Sequence, residues 1–341
     1  MPERDRTRRV GIRDVAAAAG LSPTTVSHAF SGARALNAET RARVLETAER
    51  LGYSPDPLAR GLRGARTYTI GFLSDVIGSS PHAGRMVSGA QEAAAERDSV
   101  LIMLDSNGIP EREALQIRTL RAHRVDGFVY ARMSHERVEV PDELHDAHVV
   151  LADTSTPDPR FSSVVPDEYG IGRTATRRLL EAGHRRIGFS TIRDDVEASI
   201  GRERGYRDAL AEAGVGVDET LIARTTADTA GGRSSGTPLL DRHDPATAVF
   251  CFNDEVGMGI YQAASRLGLS VPGDISVVGV DDLEIISRGL LPPLTTVALP
   301  HEEMGRWAVA QLLRAVEGED APTQRELACP LVERGSIAPP P

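Results

Sequence analysis

Two cysteines, Cys251 and Cys329, are all that 341 residues contain, and they stand far apart, each in an apolar setting. They offer neither a disulfide framework nor a metal-ligand spacing, so neither metal nor cofactor is expected. No apolar run approaches the roughly 20 residues that span a bilayer. The opening MPERDRTRRV is charged and lacks the apolar core of a signal peptide. These absences predict a cytoplasmic protein with no membrane partner. Walker phosphate loops, zinc spacings and Cys–His pairs are missing too. Rings are scarce: seven Phe, six Tyr and one Trp leave little to stack on a ligand.

What is present begins with length, which suggests two or three domains. A hydrophobic share of 40% against 26% charged residues allows a soluble globular chain with a real core. The net charge of −10 is unevenly held. Residues 1–66 carry twelve arginines and seven carboxylates, so this head is +5 and the remainder is −15. A basic head on an acidic body is the electrostatic footprint of a nucleic-acid partner at one end, although an ordinary exposed basic tail gives the same count.

The head reads as three helices. Ile12, Val15, Ala16 and Ala19 follow helical spacing and Gly20 closes the turn. Ser22-Pro23 then supplies a capping hydroxyl and a proline at a first helical position. TTVSHAF forms the second helix, and a third starts near Asn37 with Val44, Leu45, Ala48 and Leu51 on one face. Two short helices about a Gly-containing turn, completed by a third, make a helix-turn-helix arrangement; a plain three-helix bundle has the same pattern.

The stretches DVAAAAGLSPTTVSHAFSG and ETRARVLETAERLGYSPDPLARGLR resemble the headpiece of the LacI/GalR family of bacterial repressors. The resemblance implies that the second helix enters the major groove. Pro23, Thr24 and His28 would then read base edges, with Ser22, Thr25 and Ser27 toward phosphates, and Val26 and Ala29 in the core. The family often has arginine at His28 and a larger polar or aromatic residue at Pro23, so arginine's bidentate contact to guanine is not offered here. The segment Asp56–Gly64 is too short to hold a helix alone in water and by itself reads as a linker. The resemblance makes it a hinge helix that pairs with its twin in the minor groove, with Ala59, Leu62 and Arg63 against DNA and Leu62 as an apolar wedge.

From Thr69 onward, strand candidates alternate with amphipathic helices. The strands are residues 69–73, 100–104, 127–130, 149–152, 186–190, 248–252 and 276–280. The helices include 86–96, 112–123, 172–182, 202–213 and 255–267. This is an α/β architecture with parallel sheets, in which ligands bind beyond the carboxyl ends of strands. EAGHRRIGF, RERGYRDALAEAG, TAVFCFNDEVGMG, SVPGDISVVGVDD and PPLTTVALPHEEMG resemble the same family's core, which is similar to periplasmic sugar-binding proteins. The implied fold is a two-lobed periplasmic-binding-protein-like core behind the headpiece. Its expected bounds are 1–53 for the headpiece, 54–66 for the hinge and 67–341 for the core. Within the core, one lobe is expected at 67–167 plus 298–325 and the other at 168–293 plus 326–341.

The resemblance assigns effector contacts to Asp75, Asp153, Arg202, Asn253 and Asp281. Carboxylates and an amide suit vicinal hydroxyls, and an arginine fork can bridge two oxygens. Asp254 and Asp282 are expected to cap the following turn or helix, a role also open to Asp153. Many relatives place aromatics soon after the first strand; here VIGSSPHAG offers His82, either a pocket residue or a satisfied surface one. Trp307 reads as packing.

Two enzyme-like patterns remain. Gly232-Arg233-Ser234-Ser235-Gly236 matches G-x-S-x-G but follows no apolar strand, as a nucleophile elbow requires. Gly170-Ile171-Gly172 with Ala175 is a loose G-x-G-x-x-A better suited to opening a packed helix. A secreted solute-binding protein and an α/β enzyme with a regulatory head are therefore the weaker alternatives. The expectation is a repressor and not an enzyme, binding double-stranded, pseudo-palindromic operator DNA as a homodimer or tetramer. A sugar or sugar-like effector between the lobes controls it.

Overall fold

A computed structural model of the chain describes residues 10–31, 36–53, 66–76, 83–319 and 321–341. Two units emerge: Met1–Thr69 with Arg121–Asp126, and Ile70–Leu120 with Gly127–Pro341.

In the first unit, α1 (Ile12–Ala19), α2 (Pro23–Ser31) and α3 (Ala38–Leu51) are each marginal alone. Their stability comes from a shared core of Val15, Ala16, Val26, Ala29, Val44 and Ala48, edged by an edge-on Phe30–Tyr53 contact. The backbone N–H of Gly11 donates to Asp14 Oδ2 at 2.8 Å at the start of α1. Gly20 ends it at φ 66°, a left-handed turn that a side chain would strain. Asn37 Oδ1 accepts from the Thr40 N–H at 2.7 Å and starts α3. In the same unit the Asp126 carboxylate accepts from the N–H groups of Thr67 (2.7 Å) and Tyr68 (2.8 Å).

The second unit holds two sheets. The chain lays down β1 (Thr69–Ser74), α4 (Ala83–Ala95), β2 (Val100–Asp105), α5 (Pro110–Ala122), β3 (Gly127–Arg137), β4 (Val149–Ser155) and β5 (Ser162–Pro166). It continues through α6 (Glu168–Glu181), β6 (Ile187–Ile192), α7 (Glu197–Glu212), β7 (Ile222–Thr225), α8 (Thr229–Leu240), β8 (Ala248–Cys251) and α9 (Asp254–Arg266). β9 (Ser276–Asp281), α10 (Glu284–Ser287) and β10 (Thr295–Ala298) follow, and then α11 (His301–Glu317), β11 (Gln324–Leu327) and β12 (Leu331–Val332). The first sheet runs β11-β5-β4-β3-β1-β2 and the second β12-β10-β9-β8-β6-β7. The pairs β1–β3, β3–β4, β4–β5 and β5–β11 are parallel, as are β6–β7, β6–β8, β8–β9 and β9–β10; β10–β12 is antiparallel.

β1, β6 and β9 are buried along their whole length, as parallel strands covered on both faces must be. The first core joins Ile70, Phe72, Val129 and Val150 to Met304, Leu312 and Leu327, with Trp307 packed at its edge. Thus α11 and β11 belong with the first sheet, while β10 and β12 belong with the second. The final crossing falls between Leu327 and Leu331, a few residues past the expected 325, and residues 295–298 pair in the second sheet.

Candidate functional site

Strand ends from both sheets meet around a cavity of about 120 Å³. From the first sheet come the end of β4, at Asp153, and a bulge in β3. The β3–β4 register shifts between Ala131 and Glu136, and this extra length turns Met133, Ser134 and His135 toward the cavity. From the second come Phe252 and Asn253 after β8, Asp281 ending β9, Ala227 beyond β7 and Leu299 beyond β10. Glu168 opens α6, Arg202 projects from α7 and His301 opens α11.

Arg202 is 3% exposed. Its Nε donates to Glu168 Oε2 at 2.7 Å and its Nη1 to the Phe252 carbonyl at 2.6 Å, and its guanidinium lies 4.4 Å from the Phe252 ring centroid. His135 Nδ1 lies 3.6 Å from the other oxygen of Glu168. Burial works against the Glu168 charge, but Arg202 and His135 overcome it and hold the carboxyl below its usual range. Asp153 and Asp281 go the other way. Burial, reinforced by the Glu168 charge, pushes Asp153 up to about 7 against the opposing pull of His135 and Arg202. Burial pushes Asp281 up to about 8, with Arg202 opposing and Glu168 adding to the rise. Both residues sit at positive φ, 53° and 111°, backbone that costs energy for a side-chain-bearing residue and collects at binding sites.

The structure therefore brings Asp153, Arg202, Asn253 and Asp281 together. Asn253 also caps α9: Oδ1 accepts from the Val256 N–H at 2.8 Å and Nδ2 donates to the Ala227 carbonyl at 2.8 Å, leaving one amide hydrogen. The cap expected of Asp254 thus belongs to its neighbour. Asp254 is instead buried, accepting from Thr296 Oγ1 (2.6 Å) and the Leu283 N–H (2.8 Å). Asp282 pairs with Arg334 and accepts from Ser287 Oγ. Asp75 does not line the cavity; its Oδ1 accepts from the Met133 N–H at 3.2 Å and so steadies the β3 bulge. His82, Ala59, Leu62 and Arg63 lie outside the described residues.

On the headpiece, Ser22 Oγ accepts from the Thr25 N–H at 3.0 Å and pairs with Thr25 Oγ1 at 2.9 Å, the N-cap that its position before proline predicts. Pro23 and Thr24 are exposed, Thr25, Ser27 and His28 half-buried, and Val26 and Ala29 buried. The second helix thus leaves the positions named for DNA exposed or half-buried and hides Val26 and Ala29.

Residues 11–56 match the family model for bacterial regulatory proteins of the lacI family, and residues 176–337 the periplasmic binding protein-like domain. The HTH-type transcriptional regulator DegA of Bacillus subtilis is 33% identical over 333 residues, covering 96% of this chain and 98% of that protein. The chain belongs to the LacI family of bacterial transcriptional regulators.

Among other LacI-family relatives, the ribose operon repressor of Haemophilus influenzae is 31% identical over 90% of this chain and 92% of its own. A solved transcriptional regulator CelR–cellobiose complex aligns with TM-score 0.71 and 30% identity, covering 96% of this chain and all of that one. A lac repressor dimer bound to operator, at 24% identity and TM-score 0.82, shares the fold. The curated relatives are DNA-binding regulators and not enzymes, and the enzyme-like patterns have structural explanations. Gly232–Gly236 lies inside α8, where a Cβ on Gly232 would come within 2.2 Å of the Val256 carbonyl oxygen of α9. Gly172 lies in α6 where a Cβ would stand 2.0 Å from the Arg202 carbonyl oxygen. Both glycines serve close helix contacts. Among the described residues no His, Cys, Asp and Glu cluster could hold a metal, and no helix is long and apolar enough to cross a membrane.

Proposed function

We propose that this LacI-family regulator is a cytoplasmic repressor whose operator affinity is set by a small polyhydroxylated effector, a sugar or sugar-like metabolite, bound between the two sheets. The observation that carries this reading is the Arg202–Glu168 pair at the base of a cavity walled by strand ends from both sheets, where polar groups converge as a ligand requires. The ribose and sucrose operon repressors among the relatives support a sugar. In this reading 1–53 is the DNA reader, 54–66 the hinge and 67–341 the two-lobed sensor. Pro23, Thr24 and His28 face bases, Ser22, Thr25 and Ser27 phosphates, and Ala59, Leu62 and Arg63 the minor groove. The effector shifts the population between states in which paired hinges can or cannot dock.

Pairing needs two copies, and edge strand β2 supports this with Val100 at 62% and Met103 at 38% exposure, as does the exposed Leu115 of α5. A self-complementary apolar edge suits a twofold dimer, and a dimer suits a pseudo-palindrome. The test is a salt-dependent gel shift of the full chain on its own promoter region, with and without sugars and purines. Release or tightening by one compound supports the reading. No sequence-specific complex at any salt would sink it.

A further inference from the structure

The cavity wall brings more carboxyl groups than guanidinium groups. Asp153, Glu168 and Asp281 bring three carboxylates from β4, α6 and β9, and Arg202 is the one guanidinium among the described residues lining it. Arg202 is already committed to Glu168 and to the Phe252 carbonyl. Asp153, 2% exposed, has an Oδ1 with no hydrogen-bond partner among the described residues. A buried acceptor left without a donor costs about 1–3 kcal/mol, so the wall calls for a donor from outside.

That donor could be a neutral hydroxyl or a cation, and the charge balance separates them. A hydroxyl satisfies Asp153 but leaves three carboxylates facing one guanidinium in a buried site. An ammonium supplies the donor and one of the two missing charges together. Without it the chain meets the imbalance by holding protons: burial lifts Asp153 to about 7 and Asp281 to about 8. The surrounding charges do not remove the conflict. His135 of β3 and Arg202 act to lower Asp153, whereas Glu168, and for Asp281 also Glu255 of α9, act to raise the pair. Buried Asp254 stands behind Asp281, and His301 of α11 completes the wall. In size the cavity suits one small ring.

We propose that the effector is a single-ring polyhydroxylated molecule bearing a protonated amine, seated against Asp153 and Asp281, and that the same carboxylates exclude acids and phosphate esters. This rests on the sensor reading above and specifies its ligand class. Binding replaces one proton held by the aspartate pair with the ligand's ammonium, so a proton leaves to solvent as the amine enters.

The experiment is calorimetric titration of the full-length protein near neutral pH, in two buffers of different ionisation enthalpy. The probes are glucosamine, galactosamine and mannosamine, with their parent hexoses, 6-phosphates and uronates. At least one amine should bind about tenfold or more tighter than its parent hexose, and its heat should differ between buffers because a proton is released. A hexose, uronate or phosphate binding as tightly as the amines, or an amine binding without proton release, overturns the inference and leaves the sensor reading standing. If no probe binds at all, neither the amine nor a sugar sensor survives. Asp153→Asn sharpens the test, since asparagine accepts the left-handed backbone at this position. It should lose the amine's advantage over the hexose, and a retained tenfold preference counts against the proposal. The wild-type titration does not depend on that variant's folding.

Discussion

Arg202 is held out of water by Glu168 on one side and the Phe252 ring on the other, so its partners depend on it. Arg202→Met should cost about 3–5 kcal/mol by urea unfolding, because Glu168 keeps a buried charge without its cation. Adding Glu168→Gln should recover part of that loss, and a simple sum of the two single effects would show that they act independently. The aspartates give a second residue-level expectation. Their folded pKa values lie above the unfolded value of about 3.9. The folded chain therefore binds more protons, and this stabilisation is complete below about pH 4 and lost as pH rises to about 8. Glu168, shifted down, acts in the opposite sense but only on acidification through its own range. The unfolding free energy from pH 5 to 8 should fall less steeply in Asp153→Asn than in the natural chain, by up to about 1.4 kcal/mol per pH unit for one proton. An unchanged slope contradicts the assignment. Asp153, Arg202, Asn253 and Asp281 were named from the family resemblance, and all four line the cavity described above. Phe252 was hidden because the expected platform lay after β1, whereas the ring stands at the end of β8, already covered by Arg202.

At the scale of elements, α6 and α7 approach so closely that Gly172 has no room for a methyl group beside the Arg202 carbonyl. Gly172→Ala should separate the two helices, cost about 1–3 kcal/mol, and weaken ligand-induced thermal shift by moving Arg202. A variant equally stable and equally responsive would break this link between packing and site. The missed site residues follow the missed elements. Glu168 comes just after β5, Ala227 just after β7, and Leu299 and His301 just after β10. Those strands span four or five residues and some carry serine or threonine in place of apolar runs, so periodicity gave no sign of them. The rule that ligands gather at strand ends would have named these residues had the strands been visible. α8 was missed for a different reason: TAGGRSSGTPLL has low helix propensity, and its packing on α9 overrides that. Long, buried strands such as β1, β6 and β9 were legible to within a residue or two.

For the whole molecule, charge and surface divide the work. The +5 head on a −15 body should give operator binding that weakens steeply with salt, while ligand affinity of the same protein changes little. Parallel salt dependence in both would argue against separate sites. For the proposed dimer, Val100→Arg on the edge of β2 should lower the dimer fraction in sedimentation and weaken operator binding without altering ligand affinity per chain. A dimer as tight as the natural one would move the interface elsewhere. The order in which the sheets are completed has a further consequence, for synthesis. The core under β1, β3 and β4 needs Met304, Leu312 and Leu327, more than 130 residues after β5 has left the ribosome. The headpiece can close its small core as soon as Tyr53 emerges, but the first sheet must wait, one face uncovered, until translation is nearly over. A nascent chain stalled near residue 300 should therefore recruit a holdase chaperone, and one released past Leu331 should not.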